Sequence, residues 1–161
     1  MTVEEFNLSV DLYADDLYRF ILKTIKDSEQ ARDIVQDTYE KLWLRITEVE
    51  KHKAKAYMFT VAYHDVIDRI RRGKRLGTMD EVDLHSHLSN KQYSDLKEVL
   101  NEALTKLPDI QRSVILLRDY EGYNYAEIGE ITGLGEAQVK VYIFRARTFL
   151  KKYIVEMENV I

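Results

Sequence analysis

Two patterns of residues carry recognisable chemistry. The first is His64-Asp65, a His-Asp dipeptide in a segment of helical periodicity. Helical metal-dependent phosphohydrolases use such a pair as metal ligands, with a further upstream His and a downstream Asp. Here His52 lies twelve residues upstream in a polar stretch, and no downstream Asp stands out. His85-Ser86-His87 sits in a polar segment that reads as solvated. Cysteine is absent, which excludes a thiolate zinc site, a cysteine nucleophile and a disulfide framework. These residues point away from an enzyme, and neither a metal nor a cofactor is expected.

The second pattern is one of binding. Asn124 and Glu127 stand in a capping-box relation, and a short helix is expected over 125–132. Gly133-Leu134-Gly135 then makes a tight turn, and a longer helix begins at Glu136. This is the spacing of a helix-turn-helix that enters the DNA major groove. Gly133 can take the left-handed conformation that the reversal needs. Ile128, Leu134 and Val139 are placed to fix the crossing. The outward face of the last helix would then show Glu136, Ala137, Gln138, Lys140, Val141 and Phe144, with Arg145 and Arg147 behind. Gln reads adenine bidentately, Ala and Val touch thymine methyls, and Lys and Arg hold phosphates. An ordinary helical hairpin with a solvated polar face has the same spacing.

The elements that must position these residues are helices. One proline and six glycines are too few for a loop-rich β-sandwich. The apolar stripe Phe6, Val10, Tyr13, Leu17, Phe20 and Ile21 predicts a helix over about 3–26. Asp27-Ser28 offers an N-cap to a second helix with Ala31, Ile34, Val35, Thr38, Leu42 and Ile46 on one face. A lysine-rich stretch, 47–55, precedes a third helix over about 54–72. That helix buries Ala56, Phe59, Val66, Ile67 and Ile70, and Gly73 and Gly77 bracket its end. A polar stretch, 77–94, lacks helical periodicity and reads as a linker. Beyond it, helices are expected over 95–107 (Leu96, Val99, Leu100, Ala103 and Leu104 inward) and 109–120. Pro108 separates them and Gly122 stops the second. The last helix, 136 to about 157, buries Val139, Ile143, Ala146, Leu150 and Ile154. The expected fold is all-α: two small helical domains, 1–76 and 95–161, the second of four helices with the helix-turn-helix.

Charge is segregated along this framework. The net charge of −4 counts against a non-specific nucleic-acid binder. Residues 1–30 carry a net −4, however, and residues 31–76 a net +4. The densest basic cluster is Arg69, Arg71, Arg72, Lys74 and Arg75, at the end of the third helix. No apolar run approaches the roughly 18–20 residues of a membrane span. The acidic start, MTVEEFNLSVD, lacks signal-peptide order, so a cytoplasmic location is expected.

Three segments together resemble the extracytoplasmic-function (ECF) sigma factors of the sigma-70 family. The first is Leu17-Tyr18-Arg19-Phe20 leading into Asp33-Ile34-Val35-Gln36-Asp37-Thr38-Tyr39-Glu40-Lys41-Leu42-Trp43. The second is Ala56-Tyr57-Met58-Phe59-Thr60-Val61-Ala62-Tyr63-His64, running to Ile67-Asp68-Arg69-Ile70-Arg71-Arg72. The third joins Leu104-Thr105-Lys106-Leu107-Pro108, Gly122 to Gly129, Gln138-Val139-Lys140 and Arg145-Ala146-Arg147. The resemblance covers nearly the whole chain apart from the linker.

It implies an initiation subunit of RNA polymerase with no chemistry of its own. The first domain would grip the polymerase and open the promoter at the −10 element. Its face of Asp33, Gln36, Asp37, Glu40 and Lys41 would dock on the β′ clamp helices, and the polymerase β flap is a further implied partner. The −10 contacts would come from Lys51, Lys53, Lys55, Tyr57, Tyr63, His64, Arg69, Arg71, Arg72, Lys74 and Arg75. Aromatic rings there would replace lost base stacking while cations hold the backbone. At His64 the family often has Asn. Phe59 falls on the apolar stripe and reads as core, and Tyr57 and Tyr63 fit either role. Trp43 reads as core or domain-edge packing. The helix-turn-helix residues above would read the −35 element in promoter DNA. An anti-sigma protein is an implied partner. Two other functions remain in view: a helix-turn-helix regulator with an unrelated first domain, and the His-Asp phosphohydrolase.

Overall fold

The computed structural model describes residues 1–76 and 96–160. The expected linker falls outside them, as do His85 and His87. Helix α1 spans Val3–Ile25, α2 Ser28–Leu44 and α3 Ala54–Leu76, with a 3-10 turn at Lys51–Lys53 before α3. Then come α4 (Leu96–Thr105), α5 (Asp109–Ile115), α6 (Tyr125–Thr132) and α7 (Glu136–Val160). No strand occurs among the described residues.

Local chemistry explains most of the boundaries. Thr2 and Glu5 close a full capping box at the start of α1, satisfying two backbone donors that the first turn leaves free. Lys26 ends α1 in the left-handed conformation at φ 60°, where glycine is commoner. Asp27 caps α2 by accepting from the Glu29 and Gln30 amides, and the Gln30 amide above all lowers its pKa. Gly133 (φ 81°) takes the left-handed conformation expected of it, and Gly122 (φ 82°) does so as well.

Several expectations differ. Gly73 lies inside α3, which runs on to Leu76. One glycine costs a helix only about 1 kcal/mol, too little to stop one docked along its length. Ile46 lies past the end of α2, and Ala56 and Leu96 face solvent. The helix expected over 109–120 is α5 followed by a π-helical turn, Leu116–Tyr120.

Helices α1, α2 and α3 pack on one another, and α4, α5 and α6 pack on α7. The two domains also pack together. Helix α3 meets α6, and α1 meets α4 and α5. Phe20, Phe59, Leu117, Ile128 and Val139 all belong to a single buried cluster drawn from both domains. Phe59 of α3 touches Phe20 of α1 at 5.5 Å and Tyr123 of the second domain at 5.7 Å between ring centroids. Burying each such side chain contributes about 1.5–3 kcal/mol.

Candidate nucleic-acid interface

The helix-turn-helix forms as the sequence predicts. Asn124 and Glu127 make a reciprocal capping box at 2.8 Å each, so α6 starts firmly. Ile128, Ile131, Val139 and Ile143 are buried where α6 crosses α7. Gly129 is needed there for a reason the sequence pattern does not show. A Cβ at this position would meet the Leu134 carbonyl oxygen at 2.9 Å, so the turn backbone crosses α6 too closely for a side chain.

The first turns of α7 present Glu136, Ala137, Gln138, Lys140, Val141, Phe144, Arg145 and Arg147 to solvent, all exposed. Phe144 is 72% exposed, unusual for a phenylalanine with no packing partner in the core. Gln138 has local work: its Oε1 accepts from the Gly135 amide at 3.2 Å and caps α7. Its NH2 group remains a donor, and a bidentate adenine contact, which also needs Oε1, requires the cap to break. Lys140 lies near Glu136 (3.9 Å) and over the Tyr125 ring (5.6 Å). Arg147 is held by Asp119 at 2.6 Å, which raises its pKa.

The second candidate surface centres on α3. Lys51 and Lys53 stand exposed on the 3-10 turn, and His64 and Arg71 are exposed on α3. Tyr57 is half-buried. Arg72 is paired with Asp68 across one helical turn at 3.1 Å. The side chain of Arg75 lies outside the described residues. Four of the expected −10 residues are engaged within the protein in this arrangement. Tyr63 is 3% exposed, so its ring is core packing and not an open stacking platform. Lys55 is drawn over the rings of Tyr13, Phe59 and Tyr123, within 5.5–5.9 Å of each, and its stem is partly buried. Arg69 is surrounded by carboxylates: Nη2 reaches Asp33 at 3.0 Å and Asp37 at 3.1 Å, and Nε reaches Asp65 at 3.0 Å. Burial works against its charge, and Asp65 and Asp33 outweigh that and raise its pKa. Its guanidinium ties α2 to α3. Lys74 likewise pairs with Asp109 of the second domain at 3.0 Å.

Asp33, Gln36, Asp37, Glu40 and Lys41 fall on one open face of α2. Two of its acids are thus shared with Arg69. Trp43, 46% exposed, packs edge-on against Phe6 at 5.1 Å, as expected of a domain-edge residue. Among the described residues no cluster of three His, Cys, Asp or Glu could hold a metal ion. Asp65, the acid of the His-Asp pair, is bonded to Arg69. No described helix is long and apolar enough to cross a membrane.

Comparison with known proteins gives a consistent picture. The family model for sigma-70 region 2 matches residues 10–76, and that for sigma-70 region 4 matches residues 97–150. The ECF RNA polymerase sigma factor SigM of Bacillus subtilis is 33% identical over 156 residues, covering 94% of each chain. The RNA polymerase sigma factor SigV of the same organism is 29% identical over 142 residues, covering 86% of this chain and 84% of its own. Among solved structures, the sigma factor RpoE in complex with the anti-sigma factor NepR, from Bartonella quintana, superposes with a TM-score of 0.77. It is 26% identical, over 94% of this chain and 98% of that one.

Proposed function

Because the chain belongs to the extracytoplasmic-function sigma factors of the sigma-70 family, we propose that residues 1–76 bind core polymerase and open the −10 element while residues 95–161 hold the −35 element. As a sigma factor it directs promoter recognition and transcription initiation by RNA polymerase. The observation that carries the division of labour is the exposed first turn of α7, set on a capped helix-turn-helix, beside an α3 surface with free cations.

In the second domain, Lys140 and Arg145 hold phosphates and fix α7 in the groove. Val141, Ala137 and Phe144 supply apolar contact, and Gln138 donates to a base edge. In the first domain, Lys51, Lys53, Arg71 and Arg72 track the backbone, and His64 with Tyr57 meets unstacked bases. Base–aromatic stacking is worth about 1–3 kcal/mol per base, which offsets the cost of strand separation. The acidic face of α2 suits a basic polymerase surface. The chain performs no reaction itself, and its effect on rate acts through the polymerase. The region 2 match over residues 10–76 supports this reading over a regulator with an unrelated first domain. That RpoE was solved with an anti-sigma factor supports a protein antagonist here as well.

Run-off transcription with core polymerase across a promoter library tests this reading. The expected result is a small set of transcripts that depend on this protein. Their absence overturns it.

A further inference from the structure

We propose that a cavity between α3, the start of α5 and α7 is a binding site for a small amphipathic monoanion, a medium-chain carboxylate. The proposal is separate from promoter recognition and does not rest on it.

The cavity has a volume of about 330 Å³, within the range of small-molecule sites. Its wall is apolar. Ile67 and Ile70 lie one turn apart on α3, which puts both on one face. They are 7% and 6% exposed. Ile110 of α5 and Tyr142 of α7, both half-buried, close the wall from the other side. Such a wall favours an occupant with an apolar body, because water leaves both surfaces on binding.

The rim is cationic. Arg71 and Lys74 stand one turn apart on α3, and both line the cavity. They differ in what they already hold. Lys74 is paired with Asp109 at 3.0 Å, and Asp109 is paired again with Arg112 at 2.7 Å. Arg71 is exposed and makes no ion pair among the described residues. Burial raises the pKa of Tyr63; Arg71 opposes this and Tyr142 adds to it, so both stand close to that ring.

One unspent cation beside an apolar wall matches one negative charge on an apolar body. A dianion needs a second free cation, and Lys74 supplies one only by leaving Asp109. A guanidinium meets a carboxylate through two parallel bonds, which fixes the head group while the tail lies against Ile67, Ile70 and Ile110. Arg71 is also among the cations offered to the −10 strand, so the test uses the free protein, where no DNA competes for it.

The full chain, isotopically labelled in its isoleucine methyl groups, is titrated with octanoate and followed by NMR, with calorimetry alongside. The expected result is saturable one-to-one binding with Kd below about 1 mM. Shifts should centre on Ile67, Ile70 and Ile110, while Ile21, Ile34 and Ile128 hold still. Hexanoate should bind more weakly and decanoate more tightly, by about two- to fourfold per methylene. Acetate at equal concentration should leave the methyl groups unmoved. The uncharged methyl ester of octanoate should bind about tenfold more weakly or worse, as should octanoate to the Arg71→Gln protein, whose melt should match the wild type. Absence of saturation, shifts spread over all the isoleucines, or an equal response to acetate overturns the proposal. So does tight binding of the ester, or undiminished binding by Arg71→Gln.

Discussion

Arg69 offers the sharpest test of structure against pattern. By sequence it belongs to a basic cluster for DNA; in the fold it is a half-buried tie between α2 and α3. Its side chain is 18% exposed and meets Asp65, itself 12% exposed, at 3.0 Å. A hydrogen bond to a charged, shielded group is worth about 1.5–3 kcal/mol. The Asp33 and Asp37 bonds are more exposed and add about 0.2–1 kcal/mol each. Arg69→Met should therefore cost about 2–5 kcal/mol. For a chain of this size that lowers Tm by about 4–20 °C. Arg72→Ala is the control, because both members of the Arg72–Asp68 pair are more than half exposed; it should move Tm by about 2 °C or less. Thermal melts followed by circular dichroism, at low and high salt, make the comparison. Adding Asp65→Asn to Arg69→Met should recover part of the loss, since it removes the stranded carboxylate. If Arg69→Met melts with the wild type while transcription falls, Arg69 is a phosphate ligand and the structural reasoning is wrong.

Other outcomes follow from the same geometry. Gly129→Ala gains up to about 1 kcal/mol of helix propensity but must push back the Leu134 carbonyl, costing about 1–3 kcal/mol. The net should be a loss of about 1 kcal/mol by urea unfolding, and a gain in stability would refute the close crossing. Burial raises the pKa of Asp109, but Lys74 and Arg112 outweigh it and hold the carboxyl below its ordinary value. Its stabilising effect is then complete above about pH 4 and is lost as pH falls further. The difference in urea midpoint between wild type and Asp109→Asn should be steady from pH 5 to 7 and shrink below pH 4; a constant difference would argue against the pairing. Lys140→Ala and Arg145→Ala should each reduce the salt dependence of −35 duplex binding by about one in log–log slope, read by fluorescence anisotropy. Gln138→Glu keeps an oxygen for the Gly135 amide but loses the NH2 donor. It should leave Tm within about 1 °C while altering −35 preference, and equal loss on every −35 variant would refute base reading.

Much of this fold is legible in the chain because its signals are local. Apolar residues spaced three and four apart mark α1, α2 and α7. Asp27, Asn124 and Glu127 name helix starts, and Gly122 and Gly133 name turns, because caps and left-handed turns depend on residues a few positions apart. The Thr2–Glu5 capping box was equally local, and its T-x-x-E spacing was signal enough to find it. The helix-turn-helix face is legible for the same reason: the exposed residues of α7 follow from the helical period and one buried stripe.

The sequence by itself determined the seven-helix plan, the helix-turn-helix and the family, all properties of short windows in order. Tertiary structure decided which charges and rings are free. Arg69 is neutralised by Asp33, 36 residues away, and Arg112 reaches the Thr24 carbonyl 88 residues away. No local period encodes such pairs, because burial and Coulomb attraction depend on distance in space. Tertiary structure also closed Tyr63 into the core and joined two domains, read as separate beads, through Phe59 and Tyr123. Each domain carries an apolar stripe that satisfies its own helical period. Only packing reveals that the two stripes cover one another.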